Sequence, residues 1–287
     1  MSIALKGQYA IWDYISILKP KETFLLAFIG VCSGLIAAGG LLSGSFGLLL
    51  VALILGSAGS NGLTNYLDRE VDAKMVRTKG RALAAGRVDP PQKALPLIIG
   101  LIVSGLALAW ALHPLCFLFG LIGVIASGMW RKTIACTFLG IIAGCSPVLI
   151  GWFAMKPIFD IQVLLLCLLV AIWTPIHVWS VMIANRADYT GAGLSYFPLN
   201  LSDKVVVMTL FILSIFLYLT SLSIYIAGHF HLLYLIASSV LSLLMLVASA
   251  ILLHSTTSGA AWRVYKLSAF PYLGIIFLSM TMDILLI

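Results

Sequence analysis

Charge is what this sequence has least of. Only 9% of its 287 residues are Asp, Glu, Lys or Arg, ten acids against seventeen bases. Soluble domains carry about a quarter charged residues, so a water-facing globule is excluded. Several windows of roughly 18 to 22 residues are almost free of charge, each long enough to cross a hydrocarbon core as a helix. They leave little sequence for a separate soluble domain. The five cysteines (Cys32, Cys116, Cys136, Cys145, Cys167) show no CxxC spacing and lie in or beside the apolar runs. They read as small buried residues, not as a metal centre or a disulfide framework. No small-residue cleavage site is evident near the first run, so a removable signal peptide is not expected.

What is present is apolar: 62% hydrophobic residues and a mean hydropathy of +1.12. Nine spans are expected, at 23–42, 46–67, 95–112, 114–130, 137–154, 161–182, 205–227, 230–253 and 267–286. The expected fold class is all-α, a polytopic nine-helix membrane bundle forming one domain over residues 1–287.

The sign of the charges orients the bundle. With nine spans, one side collects Lys6, Lys19, Lys21, seven bases from Arg69 to Lys93, Arg131, Lys132, Arg186, Lys204, Arg263 and Lys266. The other side holds Lys156 alone. The positive-inside rule places the N-terminus and the long connections at 68–94 and 184–204 in the cytoplasm, and the C-terminus opposite. The net charge of +7 follows from that orientation and from anionic lipid, and implies no nucleic-acid partner.

Those two long connections hold the chemistry. Residues 61–83 read NGLTNYLDREVDAKMVRTKGRAL. Asn61, Asn65, Asp68 and Asp72 are spaced four, three and four apart, which puts them on one helical face. A carboxylate at the bilayer centre costs about 2.5–3.5 kcal/mol on insertion scales, so carboxylates in or near a membrane usually face a cavity and act there. Two acids one turn apart, with amide oxygens on the same stripe, suit a hard oxygen-ligated cation such as Mg2+, often shared with a substrate phosphate. Arg69, Lys74, Arg77, Lys79, Arg81 and Arg87 are interleaved or follow, and guanidinium groups pair well with phosphate oxygens. Taken singly, each base is equally well a topology marker.

The sixth span runs into WTPIHVWSVMIANRADYTGAGLSYFPL at 173–199. His177, Asn185 and Asp188 fall on one stripe that turns polar toward the inner surface. Pro175 should bend the helix, and Asn185 and Asp188 can offer oxygens to a second cation, or simply cap the helix end. His177 taken alone reads as a packed histidine. Arg131 and Lys132, at the inner end of the fourth span, are either topology markers or phosphate contacts.

Together these motifs resemble the intramembrane UbiA-type prenyltransferase superfamily, which carries aspartate motifs at the inner ends of helices 2 and 6. Within it they look most like the protoheme IX farnesyltransferase (haem O synthase) family. NYLDREVDAKMVRTKGRAL is similar to its first motif, LGIIAGCSPVLIGW at 139–152 to its fifth helix, and WTPIHVW with DYTGAGLSYFP to its single-Asp second motif. Thr64, Ala82 and Trp130 depart from the pattern.

The resemblance implies a central cavity open to the cytoplasmic side and transfer of farnesyl from farnesyl diphosphate to a vinyl of haem b. It implies Asp68, Asp72 and Asn65 on one Mg2+, and Asp188, with Asn185, on a second. Arg77, Arg81, Arg131 and Lys132 would hold the diphosphate, and His177 would face haem. Trp173, Trp179 and Tyr189 would line the cavity or meet the porphyrin. Membrane lipid surrounds such a protein, and a downstream haem-modifying enzyme or cytochrome oxidase assembly is the partner implied. An aromatic quinone precursor or a lipid as acceptor is the competing enzyme reading. A secondary transporter would need acids near mid-membrane and gates on both faces.

Overall fold

Runs of Leu, Ile, Val and Ala have no backbone partner in lipid but themselves, which leaves the helix as the spanning form. A computed structural model describes residues 11–129 and 135–286. After a helical segment at 11–17 come α1 Pro20–Ala37, α2 Ser45–Lys74, α3 Leu95–Leu112 (entered through a 3-10 turn at Pro91–Ala94), α4 Pro114–Met129 and α5 Cys136–Met155. They continue as α6 Ile161–Ala184, the short α7 Arg186–Gly191, α8 Asp203–Ala227, α9 Leu232–Ser255, α10 Ser258–Leu267 and α11 Leu273–Leu285, the last two joined by a π turn at Ser268–Tyr272. No strand occurs among the described residues.

Eight of these segments, Pro91–Leu112 and Ser258–Leu285 each counted as one, are long and apolar enough to cross a membrane, and α4 is a shorter apolar helix. The chain is a multi-pass membrane protein. Two boundaries differ most from expectation. α2 runs on to Lys74 instead of ending at 67, because its polar stripe keeps helical register after apolarity stops. The last span starts at Ser258 instead of 267, because Arg263 and Lys266 hide an amphipathic turn that packs on α6. Pro271 lies inside the π turn, and Ala269 leaves helical geometry at ψ −140. A ring without an N–H forces such a break.

The helices meet where side chains are small. α1 crosses α5 so closely that a Cβ on Gly151 would collide with the Gly30 carbonyl oxygen. Small residues at such crossings are how helices associate where lipid offers no hydrophobic drive. α2 packs on α3, α4 on α5, and α8 on both α6 and α9. Ser214 and Ser249 share a hydrogen bond at 2.8 Å, and Ser242 reaches the Tyr272 hydroxyl at 3.0 Å. Large apolar side chains such as Val103, Ile125, Phe216 and Val247 stay exposed on the outside, the surface that lipid covers. All five cysteines are free thiols.

One buried acid serves the fold. Asp283 on α11 is fully buried and accepts the backbone N–H of His231 and, at 3.2 Å, that of Tyr234. It thereby caps the start of α9 from another helix, where unpartnered N–H groups carry partial positive charge. Asp283→Ala is expected to lower stability by about 1–3 kcal/mol, the cost of stranding buried donors, read as an earlier thermal unfolding midpoint in detergent. On the same side of the bundle, Lys156 is paired at 2.5 Å with Asp160, which also caps α6. That hydrogen bond holds the Asp160 carboxyl below the usual carboxylate range.

Candidate active site

The 3.6-residue period turns the polar stripe of α2 inward. Asn61 donates to the Thr23 hydroxyl at 3.0 Å, and Asn65 donates to the Ile17 carbonyl at 2.8 Å. Asn65, Asp68 and Asp72 are 4%, 7% and 0% exposed, so the stripe faces protein and not solvent. The helix stops at Met75, whose backbone turns extended, and the following chain folds back over the stripe. Thr78 donates its hydroxyl to the Asp72 carbonyl at 3.0 Å, and Arg81 pairs with the Asp72 carboxylate at 2.6 Å. Ala82, Leu83 and Val88 close this turn by burying against Ile17, Ala94 and Ile98. The connection is thus a packed cap over the helix end.

The sixth span arrives from the opposite wall. α6 ends at Asn185, and α7 begins at once, carrying Asp188. Both Asp188 oxygens accept backbone amides of the α2 cap, Val76 at 2.6 Å and Arg77 at 3.1 Å. The two acid-bearing tips therefore meet. Burial pushes the Tyr189 phenol up, and the Arg77 guanidinium beside it pulls it back. Asn185 turns its amide to its own helix, donating to the Val181 carbonyl at 2.8 Å.

Not every expected base joins the cluster. Arg69 folds over the Tyr66 ring at 4.5 Å and pairs with the exposed Glu70 at 2.9 Å. Lys74 is exposed, and its side chain makes no hydrogen bond or ion pair among the described residues. Neither is brought to the acids, because both lie off the buried stripe. Arg131 and Lys132, with Trp130, lie outside the described residues.

Beside the stripe opens a cavity of about 580 Å3, within the range of ligand pockets. Along α2 it runs from Ala52 to Thr64, roughly 18 Å at 1.5 Å per residue. Most of its wall is apolar, from Leu53 and Leu106 to Pro147 and Ile150. Its polar lining includes Asn61, Thr64 and Arg81, joined by Lys19, Lys21 and Glu22. From the sequence the two lysines read as topology markers only; the signal for more is a basic pair straddling Pro20 at the start of a span. Lys19 sits in the left-handed region, φ 48, a conformation few non-glycine residues adopt. Burial first, and then the charge of Arg81, lowers its ammonium pKa to about 8, against the pull of Glu22, Asp68 and Asp72.

His177 also lines the cavity, stacked on Trp173 at 4.9 Å and Tyr265 at 4.8 Å. Trp179 and Tyr189 are not among the cavity's lining residues. Trp179 donates to Thr137 and abuts Phe197, and Tyr189 is buried behind the cap.

No group of three or more His, Cys, Asp or Glu side chains that could hold a metal occurs among the described residues. An ion here would be held by the α2 stripe and a bound anion. The donor set fits that: two inward carboxylates one turn apart, and a buried Asn65 Oδ1 with no hydrogen-bond partner among the described residues.

Residues 24–275 match the UbiA prenyltransferase family model. Over 279 residues the chain is 32% identical to a protoheme IX farnesyltransferase of Desulforudis audaxviator, covering 94% of this chain and 88% of that one. It is 34% identical to protoheme IX farnesyltransferase 1 of Picrophilus torridus, covering 90% of each. Among solved structures it superposes on a digeranylgeranylglyceryl phosphate synthase with a TM-score of 0.79 at 18% identity, over 97% and 100% of the two chains. A UbiA homologue from Archaeoglobus fulgidus bound to GPP and Mg2+ gives 0.65 at 15% identity, over 94% and 99%.

Proposed function

Because the chain belongs to the UbiA prenyltransferase family, we propose that it transfers the farnesyl group of farnesyl diphosphate to a vinyl of protoheme IX, haem b, giving haem O. The protoheme IX farnesyltransferase relatives, similar over nine tenths or more of this chain, support the acceptor. The observation that carries the chemistry is the meeting of the α2 and α6 tips, Asp188 on the Val76 and Arg77 amides, beside an apolar cavity.

The allylic C–O bond breaks with its electron pair going to the diphosphate. The vinyl π electrons then form a C–C bond to the farnesyl carbon. Water adds to the cation left beside the pyrrole and loses a proton, giving the hydroxyethylfarnesyl side chain. Asp68, Asp72 and Asn65 would hold one Mg2+, and Asp188, with Asn185, a second; when bound, the ions neutralise charge on the leaving diphosphate. Each Asp188 oxygen keeps a further lone pair beyond the amide it accepts. Arg81 and Arg77, with Lys19, Lys21, Arg131 and Lys132, supply the remaining positive charge. The apolar wall holds the isoprenoid and keeps water from the cation until the new bond forms. The bases of 68–94 support, by the positive-inside rule, this end of the bundle lying at the cytoplasmic face of a cell membrane.

Purified protein in lipid, incubated with farnesyl diphosphate, haem b and Mg2+ and read by mass spectrometry, is expected to yield farnesylated haem. Prenylation of an added phenolic or lipid acceptor with haem untouched would replace the acceptor. The cavity cation at Lys19 adds a pH signature. Its proton is held below about pH 8 and lost above it, so the free enzyme offers diphosphate one cation fewer as pH rises. The value of kcat/KM, which reports free-enzyme ionisations, is expected to fall about fivefold through that window, as for a screened pair worth about 1 kcal/mol. Lys19→Arg, charged throughout, should flatten the fall.

A further inference from the structure

The wall formed by α6 and the kinked last span carries an arrangement that diphosphate chemistry does not need. His177 Nδ1 lies 3.0 Å from the Ser268 hydroxyl. That hydroxyl has one proton, which it donates to the Tyr265 carbonyl at 2.9 Å. A carbonyl can only accept, so with the hydroxyl proton placed there the Nδ1 contact is made by an imidazole N–H. That arrangement is the Nδ1–H tautomer, in which Nε2 keeps a bare lone pair. The ring's hydrogen bond among the described residues is made at Nδ1 and none at Nε2, and the residue lines the cavity.

The ring's faces are taken as well. Trp173 and Tyr265 stack on it nearly parallel, at 12° and 29°, and these two make no ring contact with each other among the described residues. They therefore take opposite faces. A sandwiched imidazole cannot stack on a flat ligand; it can offer only its edge. The π turn puts the partner in place. Ser268 opens that turn, and its carbonyl accepts the Trp173 indole N–H at 2.5 Å, so one residue anchors both aromatic neighbours on α6. π turns recur at functional sites.

We propose that Ser268 is a positioning residue that holds His177 with Nε2 toward the cavity, where that nitrogen ligates the iron of the haem substrate. Metal-bound histidines almost always donate their other ring N–H to an acceptor, which fixes orientation and raises ligand basicity, and loss of that acceptor typically weakens the metal about 10- to 100-fold. Axial ligation leaves the porphyrin edge, with its vinyl groups, free to meet the farnesyl carbon. The inference rests on haem being the acceptor.

The test is a haem b titration of the full-length protein in lipid, with resonance Raman spectra of the ferrous complex. Wild type is expected to show an iron–histidine stretching band, and His177→Ala to lose it. Ser268→Ala should bind haem about tenfold more weakly and move the band to lower frequency, because Nδ1–H has lost its acceptor; Ser268→Thr should restore both. A His177→Ala protein that keeps the wild-type band, or a Ser268→Ala protein whose band and affinity are unchanged, overturns the proposal even while wild type still farnesylates haem. Wild type that prenylates another acceptor and binds no haem overturns the acceptor reading, and this inference with it. If the Ser268 variants do not fold, 15N shifts of histidine-labelled wild type decide: Nδ1 protonated and Nε2 bare supports the proposal, and the reverse tautomer overturns it.

Discussion

Asp68→Asn and Asp72→Asn are each expected to lower farnesyl transfer by about 10²- to 10³-fold, the scale on which single groups that stabilise transition-state charge are felt. The exchange keeps shape and hydrogen-bonding atoms but removes one negative charge from a stripe that is almost wholly out of solvent. The Mg2+ concentration giving half-maximal rate should rise with it, since a hard cation loses a charged oxygen. Asp72 also holds the cap, because it pairs with Arg81 at 2.6 Å while its own side chain is only 1% exposed. Asp72→Asn should therefore loosen that cap as well, which Asp68→Asn should do less. Limited proteolysis after Arg77 or Lys79 separates the two effects. Transfer that stays within tenfold of wild type in both variants, at subsaturating Mg2+, would sink the assignment of the stripe.

The second large effect is expected at Asp188. Asp188→Ala takes the acceptor from two backbone amides, Val76 and Arg77, and unhooks the α2 cap from the α6 tip. The value of kcat/KM for farnesyl diphosphate should fall about 100-fold or more, as when catalytic groups lose fixed geometry, with KM carrying much of the loss. Asp188→Asn keeps one accepting oxygen and should retain part of the clamp, so its cap should resist protease better than that of Asp188→Ala. If Asp188→Ala leaves KM unaltered and the cap equally protected, the two tips do not cooperate through this residue.

Much of this was legible in the chain itself. Hydrophobic runs are local quantities, and their lengths gave the spans to within a few residues except at the end of α2, where the polar stripe carries the helix on to Lys74, and at the last, where Arg263 and Lys266 masked a helical turn. The stripe of Asn65, Asp68 and Asp72 was legible because helical periodicity is also local. The choice among bases was not. Arg69 and Lys74 are closer in sequence to the acids than Arg81, yet the fold-back at Met75 delivers Arg81 to Asp72 and leaves the other two outside. Trp179 looked as fit for the cavity as Trp173, but helix rotation against α5 sends it to Thr137.

From its sequence alone, then, this protein was bound to be a membrane-spanning helical bundle with an acidic stripe at one end, since hydropathy, charge sign and period depend on neighbours along the chain. Only the tertiary structure decided which cations meet those acids, that Lys19 and Lys21 enter the cavity, and that Ser268 reaches His177 across 91 positions. Such pairings are set by how helices pack and where Pro271 breaks one of them, and packing is a property of the whole chain at once.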